Sequence, residues 1–320
     1  MTPCHFPSRF IGIIAFLFLW LAYPIDVVAQ PTTVAVLFPD LQEPYRSVVS
    51  SIIEGIQEEI KSPVKLFPLG EDSNASQLKG AIDQEHIAAI IALGRTGLAA
   101  AKQWRGEIPI VVGALLLAPD KKDKGISGIS LAVDPEIFFS YLEQIAPSVK
   151  RVHVVYNSES SAWLVQSARA SANKRHLQLI AYKSEDIKNS AIIYRDILNK
   201  SQPGQDAIWL IPDAVAIDDK IIFPLLLKGA WDQNVLVFSS NPTHVRRGAL
   251  FALFPDNKAM GKSLAEMAET YLSDNGEKIT DNIVLLKDVQ AAINVRTAEH
   301  LGLLISNEQR QKFALIFPAP

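Results

Sequence analysis

From Thr33 onwards the sequence alternates between short apolar runs and longer amphipathic runs, and this alternation constrains the fold more than any other feature. The short runs, such as TVAVLF at 33–38 and AAIIAL at 88–93, are almost entirely apolar, as are strands of a sheet that is covered on both faces. The runs between them, such as 44–59, carry apolar residues at helical spacing. We therefore predict an α/β protein with parallel sheets covered by helices.

The number of strand-like runs predicts two sheets rather than one. The pattern supplies about a dozen strands, and a single open sheet of that size is unusual. The strand–helix rhythm restarts after GISGISL at 125–131, so we place the seam between two lobes there. Each lobe would then carry its own parallel sheet.

Residues 1–29 have the layout of a secretory signal peptide. The positive charge of Arg9 precedes an apolar run from Phe10 to Tyr23, and small residues follow at 27–29. The apolar run is about 14 residues long, shorter than the roughly 20 residues that span a bilayer. We predict cleavage after about Ala29 and export of the mature chain; the alternative is an uncleaved anchor helix.

Composition and motifs exclude several function classes. The formal net charge of −3 gives no electrostatic case for nucleic-acid binding. The single cysteine, Cys4, lies in the predicted signal peptide, and the six histidines show no metal-binding spacing. Phosphate-loop, dinucleotide-binding and nucleophile-elbow motifs are absent from the sequence. We predict no cofactor, no metal and no catalysis, with a hydrolase or transferase on a similar α/β frame as the alternative.

The segment GRTG at 94–97 is the first candidate ligand site. Ligands of open parallel sheets bind beyond the carboxyl ends of the strands, where this segment lies. Backbone N–H groups at the start of the following helix would be unpaired and would favour an anion, with the Thr96 hydroxyl beside them. The candidates are Gly94, Arg95, Thr96 and Gly97. The alternative is that Thr96 only caps its own helix.

Further candidates follow other strands at the same predicted edge. They are Tyr45, Ala114, Asn157, Ser160, Ser161 and Asp213. Helix capping is the alternative for the residues of YNSESSAW, and a solvated turn is the alternative for Asp213. We interpret the pair Arg246–Arg247 as a surface feature, with an anionic ligand or a partner as the alternative.

The order of these segments resembles a known family. An exported chain is followed by IAAIIALGRTGLAAA, IPIVVGALLLAP, GISGISLAVDPEIFFSYLEQIAPSVKRVHVVYN, DAIWLIPDAVAID, VLVFSSNPTHVRRGALFALFPDNKAMGKSLAEMAE and AINVRTAEHLGLLI. This order is similar to that of ABC transporter substrate-binding proteins with a type I periplasmic-binding fold, in the tryptophan- and tyrosine-binding branch. The resemblance covers nearly all of the mature chain.

The resemblance implies two Rossmann-like lobes, joined by three crossing strands, that clamp a ligand at the hinge. It places lobe 1 at 30–131 plus 254–278 and lobe 2 at 132–253 plus 279–320.

The resemblance also implies roles for the site residues. Gly94 and Thr96 match a Gly-Thr turn that holds the ligand's carboxylate, although Arg95 is inserted between them. Asn157 and Ser161 match a loop of the second lobe that meets the same ligand, and Asp213 matches an acidic residue that can hold an α-ammonium group.

One segment departs from the family pattern. Leu117, Ala118 and Pro119 stand where family members usually carry Thr-Asp-Pro or a similar sequence, so a polar contact is missing. Together with the guanidinium of Arg95, this departure argues against a simple aromatic amino acid. The ligand could be more acidic, or the transport role could have been lost.

These expectations define a function. We predict the periplasmic solute-binding component of an ABC importer, which binds a small, carboxylate-bearing, amino acid-like ligand between two lobes. Its partner would be an ABC permease in the inner membrane, and the protein itself would be a monomer. The alternative is a sensor or accessory protein of the same fold that presents its ligand state to a receptor or sensor kinase.

Overall fold

The computed structural model describes residues 1–2, 33–70, 75–119, 125–273 and 282–318. The predicted signal peptide therefore lies, except for its first two residues, outside the described residues. No helix within the described ranges combines the length and the apolar character needed to cross a membrane.

The first part of the chain alternates strand and helix as the pattern predicts. Its elements are β1 Thr33–Pro39, α1 Tyr45–Glu59, β2 Val64–Leu69, α2 Ala75–Gln84, β3 Ile87–Leu93, α3 Gly94–Ala101, β4 Ile110–Leu115 and β5 Ile126–Val133. The strands β1 and β3 are buried along almost their whole length, which explains why both read as continuous apolar runs.

The second part begins with the same alternation. Its elements are α4 Pro135–Ile145, β6 Arg151–Tyr156, α5 Ala162–Lys174, β7 Gln178–Lys183, α6 Ile187–Lys200, β8 Asp206–Leu210, α7 Ile222–Asp232, β9 Leu236–Ser239, α8 Pro242–Arg247, β10 Phe251–Pro255, α9 Asn257–Ser273, β11 Ile283–Leu286, β12 Val289–Asn294, α10 Val295–His300, α11 Asn307–Arg310 and β13 Leu315–Phe317. Helices α8 and α11 and strand β13 were not predicted from the sequence.

The strands form two sheets. The first has six strands in the order β11-β5-β4-β3-β1-β2, and all of its pairs are parallel. The second has seven strands in the order β13-β12-β10-β9-β8-β6-β7. It is parallel except where β12 runs antiparallel to β10. The predicted α/β class with two largely parallel sheets is confirmed.

The chain crosses between the two sheets three times. The crossings follow β5, β10 and β11, and each is only a few residues long. Backbone hydrogen bonds join them: the N–H of Asp134 donates to Leu286 O at 2.9 Å, and the N–H of Asp256 donates to Asp288 O at 2.9 Å. Strand β11 pairs with β5 in the first sheet, which differs from the predicted placement of 279–320 in the second lobe. The lobe boundaries themselves remain a prediction.

Helix α9 follows a strand of the second sheet but packs on α1, which belongs to the first. Two glycines permit the close approach. A Cβ on Gly55 would lie 2.0 Å from Lys258 O, and a Cβ on Gly261 would lie 2.1 Å from Ile52 O. The two helices therefore touch backbone to backbone, a contact that any larger side chain would break.

A buried ion pair fastens the amino ends of two strands in the second sheet. Arg151 donates from Nε and Nη2 to the two carboxylate oxygens of Asp206, both at 2.6 Å. His153 Nε2 lies 3.0 Å from Oδ1, and the N–H of Gln202 donates to Oδ2 at 2.6 Å. Burial alone would raise the pKa of the Asp206 carboxyl, but these hydrogen bonds outweigh it and lower the pKa to about 2.

We predict that Asp206→Asn destabilises the protein by about 1–3 kcal/mol, because Arg151 loses its charged partner and an amide nitrogen would face N–H donors that now have acceptors. The wild-type free energy of unfolding, measured in urea, should fall as the pH drops from about 4 towards 2. In that window the unfolded aspartate binds a proton that the folded one does not.

The matched control is Asp196→Asn, because Asp196 pairs with Arg195 on the surface, where side chains are half exposed or more. Its free energy of unfolding should stay close to that of the wild type. Equal losses in the two variants would contradict the assigned role of Asp206.

Candidate functional site

Two adjoining cavities lie between the sheets. One has a volume of about 370 Å³ and the other about 210 Å³, and both are lined by Leu116, Leu164 and Pro212. The smaller cavity also touches the ends of β5, β8, β9 and β10, close to the crossings. Together we call these two cavities the cleft. The larger volume is in the lower part of the range of about 300–1,000 Å³ that is typical of small-molecule sites, and the smaller volume is below that range.

The first part of the chain gives the cleft an apolar wall, formed by Leu116, Leu117 and Ala118 after β4. Ser130 holds this wall in place. It is fully buried in β5, and its hydroxyl accepts hydrogen bonds from the N–H groups of Leu117, at 3.0 Å, and Ala132, at 3.2 Å. The residues that depart from the family pattern therefore form a defined apolar surface of the site.

The second part of the chain supplies the polar side of the cleft. Glu159, Ser160, Ser161 and Trp163 line the larger cavity at the start of α5. The indole N–H of Trp163 donates to Ser160 O at 2.9 Å, which fixes the ring beside the two hydroxyls. The hydroxyl oxygens and the Glu159 carboxylate can accept hydrogen bonds from a ligand, and the Trp163 ring can stack on a flat apolar group at the same time.

The carboxylate of Asp213 organises the loops behind these hydroxyls. Its Oδ1 accepts from the N–H groups of Val215 and Ala216, both at 3.0 Å. Its Oδ2 accepts from the N–H of Asn157 at 2.8 Å and from the Ser160 hydroxyl at 3.1 Å. Both oxygens are therefore already engaged by the protein itself.

Asp213 is ionised in this environment. Its side chain is buried, and burial by itself would raise the carboxyl pKa. The hydrogen bonds from the Asn157 N–H, Ser161 and the Ala216 and Val215 N–H groups outweigh this effect and lower the pKa. Asp213 lines a neighbouring cavity of about 400 Å³ rather than the cleft, so its contact with an ammonium group stays a prediction.

Of the predicted site residues, the structure brings Ser160 and Ser161 to the cleft wall. The GRTG residues lie nearby, since Leu98 in the same first turns of α3 does line the larger cavity. Arg95 and Thr96 are exposed, and no side chain caps α3, which begins at Gly94. The alternative role of Thr96 as a cap is therefore not seen.

Gly97 has a packing role. A Cβ at this position would lie 2.5 Å from Leu37 O, so α3 can sit against β1 only with glycine there.

Two other predicted residues lie apart from the cleft lining. Tyr45 is 67% exposed at the start of α1. Ala114 has a φ of 57°, in the left-handed region that costs a residue with a Cβ, and it sits at an irregularity in the pairing of β4 with β5. This irregularity directly precedes the apolar wall and turns the chain into it.

Three residues near Asp213 form a chain of hydrogen bonds that was not predicted from the sequence. His244 Nδ1 lies 2.7 Å from the Ser239 hydroxyl, and His244 Nε2 lies 2.7 Å from Asp219 Oδ1. Ser239 and His244 are buried, and burial lowers the pKa of His244 despite Asp219. Ser239 also accepts from the N–H of Asn241 at 3.1 Å, and Ser239, His244 and Asp219 line the same cavity of about 400 Å³ as Asp213.

The described residues hold no group of three or more histidine, cysteine, aspartate or glutamate side chains placed to bind a metal ion.

We predict that Asp213→Asn destabilises the protein by about 1–3 kcal/mol, because an amide nitrogen would face N–H donors that now have acceptors. Thermal denaturation without added ligand measures this loss. Glu185→Gln, at an exposed position, is the control and should leave the melting temperature unchanged. Equal melting temperatures for Asp213→Asn and the wild type would show that the carboxylate does not organise these loops.

Solved structures share this architecture. A conserved domain protein from Vibrio cholerae has a TM-score of 0.53 at 19% identity, over 90% of this chain and 100% of that one. An ABC domain from Streptococcus pneumonia in complex with L-Trp has a TM-score of 0.53 at 18% identity, over 89% and 99%. A ligand-free, open substrate binding protein with adhesive properties from Clostridium difficile has a TM-score of 0.62 at 16% identity, over 89% and 98%.

These likenesses show the fold, which is that of type I periplasmic binding proteins. A search of curated sequences gave no match. The family model described as "ABC transporter substrate binding protein" matches residues 45–312. Members of this family are extracytoplasmic, and membership implies a small-molecule ligand and a membrane permease as partner. Because the match spans most of the sequence, this chain belongs to the ABC transporter substrate binding protein family.

Proposed function

We propose that the protein is the solute-binding component of an ABC importer and that it binds a small amino acid-like ligand in the cleft. The observation that carries this proposal is the division of the cleft into an apolar wall from the first sheet and a hydroxyl-bearing side from the second. A ligand that touches both sides would favour a closed arrangement, because it gains contacts only when the two sides approach.

The chemistry of the two sides favours a ligand with an apolar side chain. The apolar wall and Trp163 offer no charged partner. The Ser160 and Ser161 oxygens, whose protons are directed to Asp213, and the Glu159 carboxylate can accept hydrogen bonds from an ammonium group. Arg95 lies outside the cleft lining and is exposed, so the reason for expecting a more acidic ligand is weakened. The similar structure from Streptococcus pneumonia holds L-Trp, which makes large apolar amino acids the first candidates.

The importer role rests on family membership. Import and sensing require the same ligand binding and differ in the partner that recognises the closed form. Genes for a permease and an ATPase next to the coding gene would support import. Loss of uptake of the bound ligand after deletion of the coding gene would support it directly.

We predict that L-Trp or another apolar amino acid raises the melting temperature of the mature protein, because a ligand that binds only the native state stabilises it. Differential scanning fluorimetry across the amino acids measures the shift. A concentration of 100 times the Kd should stabilise the fold by about 2.7 kcal/mol. Ser160→Ala combined with Ser161→Ala should weaken binding by about tenfold or more. Leu117→Asp should weaken it at least as much, because it places a charge on the apolar wall.

Ser158→Ala is the matched control, since Ser158 is exposed in the same loop and does not line the cleft. Its ligand-induced shift should equal that of the wild type. The absence of any shift at millimolar concentrations throughout the screen would count against an amino acid ligand.

A further inference from the structure

A second pocket lies at the end of the second sheet that faces away from the cleft. It has a volume of about 330 Å³ and is lined mainly by Trp231, Arg246, Arg247, Arg296 and Thr297. Its location follows from strand direction. The cleft touches the carboxyl ends of β8, β9 and β10. The second pocket is lined by residues that precede β9 and β10, and therefore lies at the amino ends of these strands. It is also lined by residues that follow β12, which runs antiparallel to β10 and so ends on the same side of the sheet.

The pocket gathers positive charge in a protein whose net charge is −3. Three arginines line it and no carboxylate does. None of the three forms an ion pair with any carboxylate of the described ranges. All three residues are exposed, so water screens the repulsion between their guanidinium groups, and an anion in the pocket would meet three permanently charged donors.

Two of the arginines come from the last turn of α8, where cations are favourable, but Arg296 does not. Arg296 lies in the first turn of α10, a position that disfavours positive charge. Favourable interactions with a helix end can therefore explain the positions of Arg246 and Arg247, but they do not explain the position of Arg296.

The pocket is organised before any ligand binds. Arg247 donates from Nη2 to Asp219 O at 3.0 Å, and its guanidinium carbon lies 4.4 Å from the centre of the Phe223 ring. Trp231 stacks on His300 with ring centres 3.6 Å apart, and the Arg296 guanidinium lies 5.9 Å from the Trp231 ring centre. These contacts restrain the Arg247 and Arg296 side chains and the Trp231 ring, and most of the guanidinium N–H groups remain available to a ligand.

We propose that this arginine pocket, defined by Arg246, Arg247 and Arg296 beside Trp231, binds a phosphate group. Three forked donors match the several oxygens and the double charge of a phosphate better than a single carboxylate. The phosphate could belong to a free small molecule or to the headgroup of an anionic lipid. The proposal does not depend on the function of the cleft.

Binding of inorganic phosphate, measured by isothermal titration calorimetry at constant ionic strength, tests the proposal. The wild type should bind, and Arg246→Gln combined with Arg296→Gln should weaken binding by about tenfold or more. Arg195→Gln is the control, because Arg195 is an exposed arginine of α6 that lies outside the pocket. It should bind phosphate as the wild type does. The melting temperature of the double variant establishes that it is folded.

A second arm distinguishes the sources of the phosphate. Sedimentation with phosphatidylcholine vesicles, with and without phosphatidic acid, should show wild-type binding only to the anionic vesicles if the source is a lipid. Phosphate binding without vesicle binding assigns the site to a free ligand. No phosphate binding by the wild type, equal binding by the double variant, or binding of a polyglutamate peptide in place of phosphate would each overturn the proposal. Any ligand-induced shift at the cleft should be the same in the double variant.

Discussion

The arrangement of the two sheets around the cleft depends on three short crossings of the chain between them. Because β5, β10 and β11 each end beside a crossing, the loops that follow the strands meet around one cleft. The hydrogen bonds from Asp134 to Leu286 and from Asp256 to Asp288 tie the crossings to one another. The three crossings therefore form the base of the cleft, and its two sides come from separate sheets.

The cleft also shows how buried polar groups are used in this fold. Asp213 would be costly to bury alone, yet its carboxylate satisfies three backbone N–H groups and the Ser160 hydroxyl. On the opposite side a single hydroxyl, that of Ser130, holds the apolar wall. Both surfaces that would meet a ligand are thus shaped by groups that stand behind them, which favours a site that is largely formed before binding.

Periodicity was enough to predict the α/β class, the two sheets and most of the longer elements, because buried parallel strands such as β3 are almost wholly apolar. It could not predict α8, which is six residues long with no helical repeat, or β13, which is three residues at a sheet edge. Ser160 and Ser161 were predicted as site residues because they follow a strand, and they line the larger cavity. Leu117 and Ala118 were singled out only as a departure from the family pattern, and the apolar surface that they form was not predicted, because apolar loop residues carry no motif. The contact of Asp219 with His244 joins positions 25 residues apart that only the fold brings together.

The backbone contact between α1 and α9 has a mechanical consequence. Helix α9 is attached through Pro255 and Asp256 to the second sheet, but Gly55 and Gly261 lock it onto the first. If the two sheets rotate relative to one another, α9 should move with the first sheet as part of the same rigid body. The backbone dihedral angles that change must then be those of the residues immediately before α9. The Asp256 carboxylate accepts a hydrogen bond from the Ala259 N–H, which stabilises the first turn of the helix during such a rotation.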